Sequence, residues 1–246
     1  MSEHDEPIVV EPIVASPPAG AEAPPSSPPA SSARLDPNRV LDYNLAQARF
    51  FDLPRSDGIG AFKEKASFNQ YWYAESSVAA ILAELSSSLP ASARIAFVSC
   101  PSLFFGLPAE ERLRAGHALL EIDADSFGAA PGFVAYDHCA PEALPAALAG
   151  AFDAVCLDPP LISSEVWELT ARAARFLLGE RGRAVIASTV PGNAALLARL
   201  FGARRVRFRP ELPHLVHSFS LYTNFEPRVL CLENADFPGD GRADEG

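Results

Sequence analysis

Lysine is nearly absent from this chain. Lys63 and Lys65 are the only two in 246 residues, and the formal net charge is −11. A protein that grips nucleic acid broadly needs cations to displace phosphate counterions, so the composition argues against that role. Arg204, Arg205, Arg207 and Arg209 do cluster late, but alternating arginines on a strand are more often a solvated face than a binding patch. Cysteine is scarce as well. Cys100, Cys139, Cys156 and Cys231 are scattered, and no pair has the spacing of a zinc site. Reduced thiols of a cytoplasmic or nuclear protein are expected, with no metal. No stretch approaches the ~18 apolar residues of a membrane span. The N-terminus lacks the basic start and apolar run of a signal peptide. Residues 1–34 contain no aromatic residue and are rich in Pro, Ala and Ser. They cannot bury enough apolar surface to offset the entropy of ordering, so disorder is expected there.

What is present suits one substantial core, since 48% of the residues are hydrophobic. The expected domain covers residues 35–233, with a loose acidic tail over 234–246. Leu41, Leu45 and Ala48 have helical spacing within residues 35–55. A segment with consecutive aromatics, Tyr71-Trp72-Tyr73, follows Phe68-Asn69-Gln70 and suits a stretch packed over a core edge or a ligand. Val78, Ile81, Leu82 and Leu85 then mark an amphipathic helix.

From Arg94 onward strands alternate with helices. Strands are expected over 94–99, 118–123, 132–137, 153–158 and 182–188, with two more at 206–208 and 218–223. Residues 101–105 are expected as an exit loop, and helices over 110–116, 142–148, 165–178 and 193–201. This order implies an α/β, doubly wound parallel sheet of seven strands, Rossmann-like, ending in an antiparallel strand pair. Ligands of such sheets sit outside the carboxyl ends of the strands, where strand order reverses. The strand ends carry Ser99-Cys100-Pro101-Ser102, then Glu121 and Asp123, then Asp137, then Asp158-Pro159-Pro160-Leu161. The two prolines must end their strand, because neither has an N–H for the ladder. Pro159 also restricts Asp158 to extended backbone. The product is a stiff loop with one carboxylate and free carbonyl acceptors, which suits an amino group, although a lone Asp-Pro-Pro is more often only a turn.

Taken together, Gln70-Tyr71-Trp72-Tyr73, Val98-Ser99-Cys100-Pro101-Ser102, Leu120-Glu121-Ile122-Asp123, Phe133-Val134-Ala135-Tyr136-Asp137, Asp158-Pro159-Pro160 and Tyr222-Thr223-Asn224-Phe225 resemble the elongation factor 1-alpha lysine methyltransferases. That family was first described as adenine-type amino methyltransferases from its Asp-Pro-Pro-aromatic motif. The resemblance runs from about Phe68 to Phe225. It implies a methyltransferase sheet, S-adenosylmethionine as cofactor, and a protein substrate such as elongation factor 1-alpha. A cytoplasmic protein acting as a monomer is expected. The resemblance further implies that Ser99, Pro101, Ser102 and Asp123 hold the methionine and ribose parts of the cofactor. Asp137 would sit near the adenine, Trp72 and Tyr73 would cover the site, and Asp158, Pro159, Pro160 and Leu161 would hold the amine.

Leu161 stands where the family has an aromatic residue. A base substrate would lose a stacking partner worth ~1–3 kcal/mol, whereas the methylenes of a lysine still pack on leucine. Later, His214-Leu215-Val216-His217 replaces asparagine-rich residues of the family, and these histidines suit either pocket groups or an ordinary loop. The alternatives to a lysine methyltransferase are a nucleic-acid adenine methyltransferase and a non-catalytic interaction protein on the same fold.

Overall fold

The computed structural model describes residues 58–180, 183–215 and 217–235. The segment over 1–34, the helix expected within 35–55, and the tail beyond residue 235 lie outside the described residues. One seven-stranded sheet has the order β3-β2-β1-β4-β5-β7-β6. Its strands are β1 (Ile95–Val98), β2 (Ala118–Glu121), β3 (Phe133–Ala135), β4 (Ala154–Leu157), β5 (Ala184–Thr189), β6 (Arg204–Arg205) and β7 (Ser220–Thr223). The first five pair in parallel, and β7 runs antiparallel between β5 and β6. The expected Rossmann-like sheet with a terminal antiparallel pair is therefore the observed one.

β1, β2, β4 and β5 are buried along their whole length, as parallel strands covered on both faces must be. Their side chains sort by the two-residue period of a strand. Ala154 and Cys156 join the core beneath α1 (Glu75–Ser88) and α2 (Pro101–Gly106), with Ile81, Phe97, Phe104 and Leu119. Val155 and Leu157 join the opposite core beneath α5 (Ser164–Leu178) and α6 (Ala194–Phe201), with Trp167, Leu177 and Leu197. Between these lie α3 (Ala109–Ala115) and α4 (Ala124–Phe127).

The structure corrects several expected elements. Residues 101–106 form α2 rather than a loop, because Pro101 at the first helical position supplies a preset φ and lacks only an N–H that would be unpaired there. The helix expected over 142–148 is broken into two 3-10 turns, Pro141–Ala143 and Ala146–Leu148. Pro145 lies between them and cannot continue a helix. The strand expected at 206–208 is displaced to Arg204–Arg205. Val206 N–H still donates to Leu221 (2.9 Å), but Phe208 N–H turns to Leu230 (3.0 Å), outside the ladder. Asn234, placed by sequence in a loose tail, is buried, and its side-chain amide donates to the Arg209 carbonyl at 2.9 Å.

Two buried polar groups tie distant segments together. Glu84 of α1 accepts the backbone N–H groups of Arg228, Val229 and Leu230 at 2.7–3.1 Å, pinning the C-terminal turn onto the helix. His117 accepts the N–H of Ile95 through Nδ1 at 3.1 Å. Burial chiefly holds its imidazole down at about 4, from an ordinary 6.5. Below pH 6.5 the unfolded chain therefore takes up a proton that the folded protein does not, and stability falls with pH toward about 4. At about pH 5 this difference amounts to ~2 kcal/mol. His117→Gln is expected to lose that much less unfolding free energy than the native chain between about pH 7.5 and pH 5 in urea titrations.

Candidate active site

The strand order reverses between β1 and β4. The chain leaves β1 toward β2 on one side and leaves β4 toward β5 on the other, so the two exit loops part and open a crevice. A cavity of about 290 Å³ occupies it. Nine of the residues expected at a site line it: Trp72, Tyr73, Ser99, Pro101, Ser102, Asp158, Pro159, Pro160 and Leu161. Asp123 and Asp137 are not among its lining residues.

The backbone dictates that division. β2 ends at Glu121, and Asp123 is the N-cap of α4, accepting the N–H of Ser126 at 3.1 Å. Its carboxylate also meets Lys65 Nζ at 2.8 Å and Gln70 Nε2 at 3.3 Å. Burial pushes that carboxyl up, but the Lys65, Ser126 and Gln70 donors outweigh it and hold the group below the usual range. Asp137 is exposed and accepts the N–H of Cys139 at 2.8 Å. Glu121 and Tyr136, one or two positions earlier, do face the cavity from these strand ends, together with Ile122 and His138. Glu121 and Tyr136 are both buried. Burial raises the Glu121 carboxyl, opposed by the Ile122 and Asp123 N–H groups and by Gln70. The Tyr136 hydroxyl and Gln70 Oε1 have no hydrogen-bond partner among the described residues.

The loop after β1 is bent sharply. Ser99 has φ 54°, a left-handed conformation that an L-residue adopts at a cost of ~1–2 kcal/mol. Its N–H donates to Leu120 at 2.8 Å, and the next residues open α2. Ser102 Oγ accepts the Tyr73 N–H at 3.3 Å, which clamps the aromatic segment over this loop. Trp72 N–H donates to Glu64 at 2.7 Å, its ring N–H to the Phe62 carbonyl at 3.2 Å, and Ala74 N–H to the Glu211 carbonyl at 2.9 Å.

Asp158 lies at the other lip. Its N–H donates to the Val98 carbonyl (3.1 Å), and its Oδ2 accepts the Tyr73 hydroxyl at 2.7 Å. Burial pushes its carboxyl up to about 7; the Tyr73 hydroxyl pulls it down, and the charge of Glu121 adds to the rise. Tyr73 itself is kept protonated by burial and by the neighbouring Asp158 charge. The loop that continues from Asp158 is fixed as well. Asn193 Nδ2 donates to the Ile162 carbonyl at 2.8 Å and to Thr189 Oγ1 at 3.0 Å. Among the described residues no lysine or arginine lines the cavity; His138 and His217 are the basic groups there. His214 instead pairs with Glu64 at 2.6 Å. Such a cleft can hold an amine against one carboxylate in a nearly cation-free surrounding.

Gln70, Glu121 and Tyr136 stood inside the motifs read from the sequence but carried no assigned role. Their signal was position: each is the buried neighbour of a residue singled out. Tyr73→Phe removes a donor to the charged form of Asp158, so the carboxyl is expected to titrate above about 7 in the variant. Carbon NMR of labelled aspartate side chains measures it.

The family model described as "Probable N6-adenine methyltransferase" matches residues 64–227. The chain is 30% identical to mouse EEF1A lysine methyltransferase 1 over 185 residues, covering 72% of this chain and 84% of that protein. It is 31% identical to the Caenorhabditis elegans protein-lysine N-methyltransferase M142.8 over 200 residues, covering 77% and 91%. The human EEF1A lysine methyltransferase 1 is 28% identical over 177 residues, covering 70% and 80%. The match spans the whole crevice, from Glu64 through the Asp158 loop to the end of the sheet, and the chain belongs to this methyltransferase family.

Proposed function

We infer that this protein transfers a methyl group from S-adenosylmethionine to a lysine side chain of a protein. The observation that carries the substrate class is the lip of the crevice. Asp158 stands beside Leu161 and Ile162, and no lysine or arginine lines the crevice among the described residues. A polyanionic substrate would need cations there, and a lysine needs a carboxylate and an apolar sleeve.

The cavity fits the cofactor. The buried Glu121 carboxylate suits ribose hydroxyls, and the unpartnered Tyr136 hydroxyl and Gln70 Oε1 offer polar contacts beside it. The Ser99–Ser102 loop lies where β1 ends and suits the methionine part, with Trp72 and Tyr73 closing over it. Asp123 supports this arrangement by fixing Gln70 and Lys65, and Asp137 by shaping the turn through Cys139. When bound, S-adenosylmethionine supplies a methyl carbon on a sulfonium, open to in-line displacement.

The chain's own residues prepare the amine. A lysine must first shed a proton, its ordinary pKa being ~10.4. The Asp158 carboxylate and the Pro159 carbonyl accept the amine's hydrogens and turn its lone pair toward the methyl carbon, and Asp158 can take up the proton. Proximity and exclusion of water by the aromatic segment supply the rest. Leu161 packs on the lysine methylenes. Elongation factor 1-alpha is the proposed substrate, supported by the names of the relatives, and the cytoplasm the proposed site of action.

Because the Asp158 carboxyl sits at about 7, its acceptor form is lost as pH falls through that value. kcat/KM is expected to show an acid limb near pH 7, dropping about tenfold per unit below it. Asp158→Ala is expected to reduce transfer to a protein lysine by at least about 1,000-fold, while calorimetry finds S-adenosylmethionine affinity within about threefold. Labelling with radioactive cofactor measures transfer. Robust labelling of RNA or DNA with none of protein would overturn the proposal.

A further inference from the structure

Large apolar side chains left exposed are concentrated in one place. Phe68, Ile122, Leu161 and Ile162, each between 38 and 45% exposed, all line the mouth of the crevice; Leu113 is the other exposed one among the described residues. They come from separate elements: the segment before the aromatic run, the end of β2, and the loop after Asp158. Single exposed apolar residues need no explanation, but four gathered as a collar around one cavity mark a contact surface. The collar is also preformed. Asn193 holds the Ile162 carbonyl, and Ser163 Oγ accepts the Val166 N–H to start α5 directly after it.

We propose that this collar reads the residue beside the target lysine, docking a bulky apolar side chain two positions away in an extended segment of a cationic protein. The proposal rests on the lysine-transfer function above and names what that site selects. Extended backbone sends alternate side chains to the same face, ~6.6 Å apart. A lysine at position i that enters the crevice toward Asp158 therefore lays residues i−2 and i+2 on the rim. The carboxylates facing the crevice, Asp158 and Glu121, and the net charge of −11 repel acidic flanks and favour a cationic partner.

Three peptides test it, each carrying one lysine, with leucine, serine or glutamate at i±2. Anisotropy binding and methyl transfer are measured on the full chain saturated with cofactor. The leucine peptide is expected to bind at least about tenfold tighter than the serine peptide, with the glutamate peptide weakest. Ile162→Asp and Phe68→Ser are each expected to bring the leucine peptide close to the serine peptide. Calorimetric affinity for S-adenosylmethionine should stay unchanged, which shows that the variants are folded. Equal binding of leucine and serine peptides, or discrimination that survives both substitutions, overturns the collar. Leucine-selective binding without transfer to any lysine supports the collar and overturns lysine transfer. Equal transfer to all three peptides does the reverse.

Discussion

The site depends on the register of one pair of strands. β1 and β4 align so that Val98 lies opposite Leu157. The ladder then runs one residue further, with the Asp158 N–H on the Val98 carbonyl. On the other side of β1, the Ser99 N–H reaches Leu120. These bonds set Ser99 and Asp158 at neighbouring points of the crevice before any side chain contributes. A slip of one residue would exchange every core side chain of β4 with the opposite face. Both faces are packed by separate cores, with Cys156 in one and Leu157 in the other, so the register has no close competitor.

Around that fixed point, the aromatic segment is held by backbone bonds from several directions. Glu64, Ser102 and Glu211 each receive one N–H from consecutive residues 72–74. Tyr73 can then bring its hydroxyl to Asp158 with little freedom left to lose. The bond has two effects. It tempers the rise that burial imposes on the carboxyl, and it occupies one of the two oxygens of a residue that lines the crevice. A carboxylate poised near neutrality, at a lip with no lysine or arginine among the described residues, is a suitable partner for an amine that must part with a proton.

The doubly wound parallel sheet was legible in residue pattern because parallel strands covered on both faces must be apolar throughout, and Ile95–Val98 and Ala154–Leu157 are. The Asp158-Pro159-Pro160 loop was legible because proline ends a strand wherever it stands. The acidic strand ends were only half legible. Glu121 and Asp123 both follow Leu120, and nothing local to them tells which faces the crevice. The outcome turned on where pairing with β3 stops: Glu121 is the last paired residue of β2, and Asp123, two residues on, is free of the ladder and caps α4. Tyr136 and Asp137 were divided in the same way.

The sequence by itself determined the alternation of strands and helices, the stiff acceptor loop and the family to which they belong. These follow from local rules: side-chain period, the missing N–H of proline, and motif order. Only the tertiary structure decided that Glu121 and Tyr136 face the crevice, that Lys65 is committed to Asp123, and that Phe68, Ile122, Leu161 and Ile162 meet at one mouth. Those outcomes depend on hydrogen bonds and packing between segments up to about a hundred residues apart, which no local pattern encodes.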